Sequence, residues 1–204
     1  MTAWTAAHSA ALTARPVLGI NFHHVPVDHR PQVRRQLQAA AAQGDALQLD
    51  QLAGPEERDG RAGPVDDSSR PQLFVAFYDG YRETSLFGAE ICAELGLRAY
   101  FFPVFSSPDP ARGTLTDDDL AQIATVHEVG FHTSSHLRAA DVTADNLETE
   151  VLQPLARIRT ATGTQPRVGA WRGGARFDQD TLGDRTIRAE GVRWLVSNWS
   201  VEAI

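Results

Sequence analysis

The 204-residue sequence predicts an α/β fold of repeated strand–helix units around a mainly parallel sheet, six or seven units that would form a small or incompletely closed barrel. Three observations predict it. Short apolar runs alternate with amphipathic stretches along most of the chain. Several of those runs end abruptly in histidine, aspartate, serine or arginine, as strands do at the rim of a parallel α/β barrel. The full eight-unit barrel typically takes about 250 residues, so the length argues against it.

The elements follow in order. Apolar runs at Pro16–Phe22, Gln72–Tyr78, Ala99–Phe105, Glu128–Phe131, Arg167–Trp171 and Val192–Ser197 read as strands. Helical periodicity falls near 31–43, 84–96, 117–127, 144–163 and 179–190. The helix near 117 has a clear start: Thr116 stands at the N-cap, and Asp117, Asp118 and Asp119 suit the positive end of the helix dipole. Residues 54–71, rich in Gly, Pro and charge without a period, read as a surface loop. No internal repeat or linker divides the chain, so residues 16–204 read as one domain behind an N-terminal extension, 1–15.

Composition excludes several chemistries. All 19 basic residues are arginine, so no Schiff-base amine, phosphate-loop lysine or lysine general base exists. One cysteine, Cys92, precludes an intrachain disulfide and any multi-cysteine zinc site; it lies on a core face of Leu86–Leu95 and reads as an inert buried thiol. Any metal must therefore be held by histidine and carboxylate. A formal charge of −7 argues against non-specific binding to nucleic acid or anionic membrane. The first twenty residues have neither a basic start nor an uninterrupted apolar core, so neither a signal peptide nor a membrane span is expected, and a cytoplasmic location follows unless the chain is trimmed. Oligomeric state is not readable.

The polar residues at the strand ends suggest a metal site. His132 and His136, four residues apart, can face one ion from a turn or helix, and the pair suits zinc, with cobalt, nickel or manganese as alternatives. Such a pair also occurs as ordinary polar or capping histidines. Asp79, after the run Leu73–Tyr78, would complete a two-histidine, one-carboxylate set with open coordination positions, although Asp-Gly also commonly caps a turn.

Over residues 16–200 the sequence resembles the polysaccharide deacetylase family, also called NodB-homology or carbohydrate esterase family 4. The family's Thr-Phe-Asp-Asp-Gly motif corresponds to Ala76-Phe77-Tyr78-Asp79-Gly80, and its His-Ser/Thr-x-x-His motif to His132–His136. The segment Glu90–Phe105 resembles the passage from helix to Ala-Thr-Phe-Phe strand, and Trp171-Arg172-Gly173-Gly174 resembles the arginine at a strand end. Asn21-Phe22-His23-His24-Val25 is similar to the lead-in of many members. The resemblance implies a distorted (β/α)7 barrel that hydrolyses N-acetyl, sometimes O-acetyl, groups on carbohydrate or a related small amide. It implies a divalent metal held by Asp79, His132 and His136, with a backbone amide at Gly80 or Gly173 stabilising the oxyanion.

Two departures bear on mechanism. The family's general-base aspartate is Tyr78 here, a poor proton acceptor unless its pKa falls by about three units. The arginine that holds that aspartate in the family, Arg172, is then expected to bind an anionic substrate group instead. The family's late histidine motif has no counterpart before Ile204, so the final barrel unit is absent or something replaces its histidine. His24 is the expected substitute for the general acid, His23 being set aside because strand alternation would turn it away. Trp171 and Trp199 are candidate sugar-stacking residues, Trp194 less so. A catalytically impaired metal- and glycan-binding homologue is the alternative reading.

Overall fold

A computed structural model describes residues 5–7, 17–49, 70–106, 109–198 and 200–204. In chain order these form β1 (Thr5–Ala7), β2 (Val17–Phe22), α1 (Arg30–Gln43), β3 (Asp45–Ala46), β4 (Gln72–Tyr78), α2 (Arg82–Glu94), β5 (Ala99–Phe102), α3 (Asp117–Ala124), β6 (Glu128–Val129), α4 (Gln153–Thr162), β7 (Val168–Ala170), α5 (Leu182–Ala189), β8 (Trp194–Val196) and β9 (Val201–Ala203). Most of the loop read at 54–71, most of the extension 1–15, and Trp199 lie outside the described residues.

The six apolar runs are the strands β2, β4, β5, β6, β7 and β8, and they lie side by side in sequence order. β2, β4, β5 and β6 pair in parallel in one sheet. β7 pairs in parallel with β8. A parallel bridge from Phe131 to Gly169 joins the two sets. The sheet does not close on itself among the described residues: β1 runs antiparallel along β2 at one margin and β9 antiparallel along β8 at the other. The expected incomplete α/β barrel is what forms. β5 is shorter than expected because Pro103 has no N–H to continue the ladder.

Period-2 alternation sorts the core into two layers. Leu73, Val75 and Phe77 of β4 and Phe101 of β5 face outward and pack on Leu37, Ile91, Leu120 and Ile158 of the helices. Phe74, Ala76, Tyr78, Tyr100, Phe102, Val168, Ala170, Trp194 and Val196 fill the barrel interior. All seven β4 residues are buried, which is why that strand reads as a continuous apolar run. Trp194 belongs to this interior packing. Cys92 is fully buried, and burial pushes its thiol up to about 12, in keeping with an inert core residue.

The start of α3 forms as its sequence dictates. Thr116 Oγ1 accepts from Asp119 N at 3.1 Å, and the Asp119 carboxylate accepts from Thr116 N at 2.9 Å, a reciprocal capping box. Asp119 also accepts two hydrogen bonds from Arg82, at 2.7 and 2.9 Å, which ties the starts of α2 and α3 together.

Candidate metal centre and active site

Three loops at the C-terminal ends of the parallel strands meet over the barrel interior. β4 ends at Tyr78, and the chain reverses into α2 through Asp79 and Gly80, both left-handed with φ of 68° and 64°. Gly80 is obligatory for that turn, since a Cβ there would lie 2.9 Å from Pro103 Cα. The loop after Phe131 carries His132 and His136 with Thr133 and His136 also left-handed, at 63° and 64°. Asp79, Thr133 and His136 are the non-glycine residues with positive φ among those described, and two of them are candidate ligands. Backbone strain concentrated in this way marks a functional site.

Asp79, His132 and His136 each offer one ligand atom, and those atoms lie within 4.8 Å of one another. His132 Nε2 is 3.7 Å and His136 Nε2 3.5 Å from Asp79 Oδ1. His132 Nδ1 lies 2.8 Å from the Ala170 carbonyl, which can only accept, so Nδ1 carries the proton and Nε2 presents its lone pair to the cluster. Asp79 Oδ1 and His132 Nε2 are both buried without a hydrogen-bond partner. Two orphaned buried acceptors facing each other are what a divalent cation would satisfy, so the residues present fit the metal that the sequence implies.

The electrostatics agree. Burial alone would raise the Asp79 carboxyl, but the neighbouring His132 and His23 rings outweigh it, His23 through its 3.0 Å hydrogen bond, and hold the group well below the usual carboxylate range. Burial is the main cause that lowers the His136 pKa, with the neighbouring His132 ring adding to it and the Asp79 carboxylate opposing, a direction that favours the neutral, ligating form. The histidine loop is clasped from behind by Glu150, in the single π-turn Glu148–Leu152 that leads into α4. The Glu150 carboxylate accepts from Ser135 N at 2.9 Å and Ser135 Oγ at 2.8 Å.

Beside the cluster is a cavity of about 250 Å³ whose lining includes His23, Tyr78, His132, His136, Trp171 and Gly173. A larger groove of about 650 Å³ between α2 and α3 has no metal-ligating cluster among the described residues, so the smaller cavity is the candidate site. His23 and His24 take the opposite places from those expected. His23 and His24 are both exposed, but His23 Nδ1 lies 3.0 Å from Asp79 Oδ2 and its ring stacks on Tyr78 at 5.2 Å, whereas the His24 ring lies edge-on to Tyr81 at 5.7 Å. Val17 of β2 faces the barrel interior while Ile20 and Phe22 face the helices, so alternation brings Asn21 and His23 inward.

Tyr78 is also not poised as a base. Burial, and next the charge of Asp79, raise its phenol far above the ordinary value instead of lowering it. Arg172 is exposed just beyond Trp171, near enough for its charge to act on His136. Gly173 sits at the cavity wall in a left-handed turn, whereas Gly80 is folded under Pro103 and is not part of the lining. Trp171 lines the cavity, but its ring is buried edge-on to Phe131 at 5.2 Å with its Nε1–H donated to Asp184 at 2.7 Å, so its faces are taken up by packing and the expected sugar stacking does not fit it. Asp184 itself, wholly buried, carries no motif that would single it out in the sequence.

No curated protein matches the chain in sequence. Among solved structures it resembles a polysaccharide deacetylase from Bacillus cereus at TM-score 0.61 and 16% identity, covering 88% of this chain and 56% of that one. It also resembles IcaB from Ammonifex degensii at TM-score 0.62 and 14% identity, covering 88% and 82%. The Streptococcus pyogenes deacetylase PplD, solved with acetate, matches at TM-score 0.60 and 16% identity over 86% and 79%. The chain thus spans little more than half of the Bacillus cereus protein and about four fifths of the other two. These likenesses concern the fold, but residues 66–189 also match the family model for polysaccharide deacetylase. With that match over more than half of its length, the chain belongs to the polysaccharide deacetylase family.

Proposed function

We propose that the protein is a divalent-metal-dependent hydrolase that removes N-acetyl or O-acetyl groups from carbohydrate or a related small amide. The observation that carries this reading is the convergence of Asp79, His132 and His136 with two orphaned acceptor atoms beside a small cavity. A zinc ion, or cobalt, nickel or manganese in its place, would be held by these three residues and would supply Lewis acidity and an activated water.

The chain's own residues do the rest. Asp79 divides its oxygens, Oδ1 toward the ligand cluster and Oδ2 accepting from His23 Nδ1. That hydrogen bond leaves His23 Nε2 as the acceptor atom of the ring, so His23 takes the role of holding and returning a proton that the sequence had suggested for His24. Gly173 lines the cavity in which the acyl group would rest, its amide the candidate oxyanion donor, and Trp171 fixes the wall behind it. Arg172, at the rim, is suited to an anionic group on the substrate.

Tyr78 favours a second reading. With a buried, protonated phenol where the family has its base aspartate, the protein could bind metal and glycan without turnover. The two are separated by measuring acetate release from acetylated chito-oligosaccharides by the zinc-loaded protein. Release that is abolished by chelator and by Asp79→Ala supports the hydrolase, and saturable glycan binding with no acetate release supports the binding homologue.

A further inference from the structure

Two tyrosines point into the barrel interior, and they differ in one respect. Tyr100 donates its hydroxyl to the Leu47 carbonyl at 2.7 Å. Tyr78, at the mouth end of β4, is 4% exposed, and its hydroxyl is buried with no hydrogen-bond partner among the described residues. An unpartnered buried hydroxyl is costly and calls for a ligand or a strain-bearing role. The ring is held in a fixed pose, sandwiched between His23 at 5.2 Å and Phe102 at 5.0 Å, both near parallel. It lines the same cavity as His132 and His136.

Three orphaned polar atoms belong to neighbouring residues at this one corner, Asp79 Oδ1, His132 Nε2 and Tyr78 Oη, with the Tyr78 and His132 rings 5.7 Å apart. The first two are acceptors and suit a cation. The third is a donor, because a phenol carries its proton at neutral pH. A cation with a hydrogen-bond donor beside it is complementary to an electron-rich oxygen, the carbonyl of an acyl group or one oxygen of a carboxylate.

We propose that the Tyr78 hydroxyl donates a hydrogen bond to the acyl oxygen of the bound substrate, and to the carboxylate of released acetate, so that it is an oxyanion donor and not a proton acceptor. This rests on the cavity being an acyl-binding site. It separates the position from the base function: the residue at 78 binds the oxygen on which charge develops, and the proton passes elsewhere, with His23 the neighbouring candidate.

The test is Tyr78→Phe, which keeps both ring stacks and removes one oxygen. Because that oxygen has no partner in the free protein, the melting temperature should hold or rise and zinc stoichiometry should be unchanged. Acetate affinity of the zinc-loaded protein, read by calorimetric titration, should fall about tenfold, the effect of one hydrogen bond to a charged group. Deacetylation kcat should fall by about 10²–10³ with KM little changed. If Tyr78→Phe binds acetate and turns over like the parent, or melts several degrees lower, the proposal is overturned while the hydrolase reading stands. A parent that binds acetate without turnover, and loses that binding in Tyr78→Phe, upholds the proposal and removes the hydrolase reading. A parent that neither binds nor releases acetate overturns both.

Discussion

Replacing Asp184 by alanine should be among the more damaging single changes in the described structure. Its carboxylate is wholly buried and accepts from Trp171 Nε1 at 2.7 Å, Thr181 Oγ1 at 2.8 Å and Asp178 N at 3.1 Å. Thr181 is also the N-cap of α5, accepting from Asp184 N at 3.3 Å, so the same residue closes the start of the helix. In alanine's place the buried indole N–H has no acceptor, at a cost of about 1–3 kcal/mol, and the two less buried donors lose about 1 kcal/mol each to water. The total is about 3–5 kcal/mol. For a chain of this size each kcal/mol lowers the melting temperature by roughly 2–4 °C, so a fall of about 6–20 °C is expected. The assay is thermal unfolding followed by far-ultraviolet circular dichroism, with tryptophan fluorescence reporting the indole. A double-mutant cycle with Trp171→Phe should show a coupling of about 1–2 kcal/mol. A loss below about 1 kcal/mol, or strict additivity in the cycle, would refute the reasoning, because it would mean that the buried network holds neither Trp171 nor α5.

Other outcomes follow from the same geometry. His132→Ala removes a direct ligand, so zinc affinity measured by competition titration should drop by more than the about 10–100-fold typical of an outer partner, whereas Glu150→Ala, which only frees Ser135 behind the loop, should fall within that range. His127 is buried, accepts from Ala99 N and donates to the Ala89 carbonyl; burial first, then Arg98, lowers its pKa. The unfolded chain therefore binds the proton more readily, and this stability is complete above about 6.5 and declines as pH falls below it; the urea midpoint between pH 7.5 and 5.5 should show the decline, and His127→Gln should flatten it. Gly88→Ala in α2 gains up to about 1 kcal/mol of helix propensity, but its Cβ would lie 2.5 Å from the Phe77 ring, so overpacking of about 1–3 kcal/mol wins and chemical denaturation should show a net loss.

Much of the fold is legible in the sequence, because a strand buried on both faces leaves an unbroken apolar run and its end is marked where polarity resumes. β4 shows this most plainly, with Gln72–Tyr78 buried throughout and Asp79 immediately beyond. The helix start at Thr116 is legible for a local reason, since a capping box involves only residues three apart. The short margins β1, β3 and β9 have too few residues to carry a period, and their pairing is a matter of long-range partners. Glu150 and Asp184 escape notice for the same reason: each acts through a contact some 13 or 15 residues away, across a loop that the sequence does not bend in any visible way.

The sequence by itself determined the chemistry available: no lysine, one buried cysteine, and a set of histidine, aspartate, tyrosine and arginine at the ends of parallel strands. It did not decide which member of a neighbouring pair faces the site. His23 and His24 differ by one residue, which in a strand means opposite faces, and the phase is unreadable where residues on both faces of β2, Val17 on one and Ile20 and Phe22 on the other, are equally apolar and buried. Nor could it decide what becomes of Tyr78, whose buried, unpartnered hydroxyl depends on His23 and Phe102 closing on its ring from distant segments. Residue types are local properties of a chain, but burial, orphaned donors and the direction of a pKa shift come from neighbours that only packing brings together.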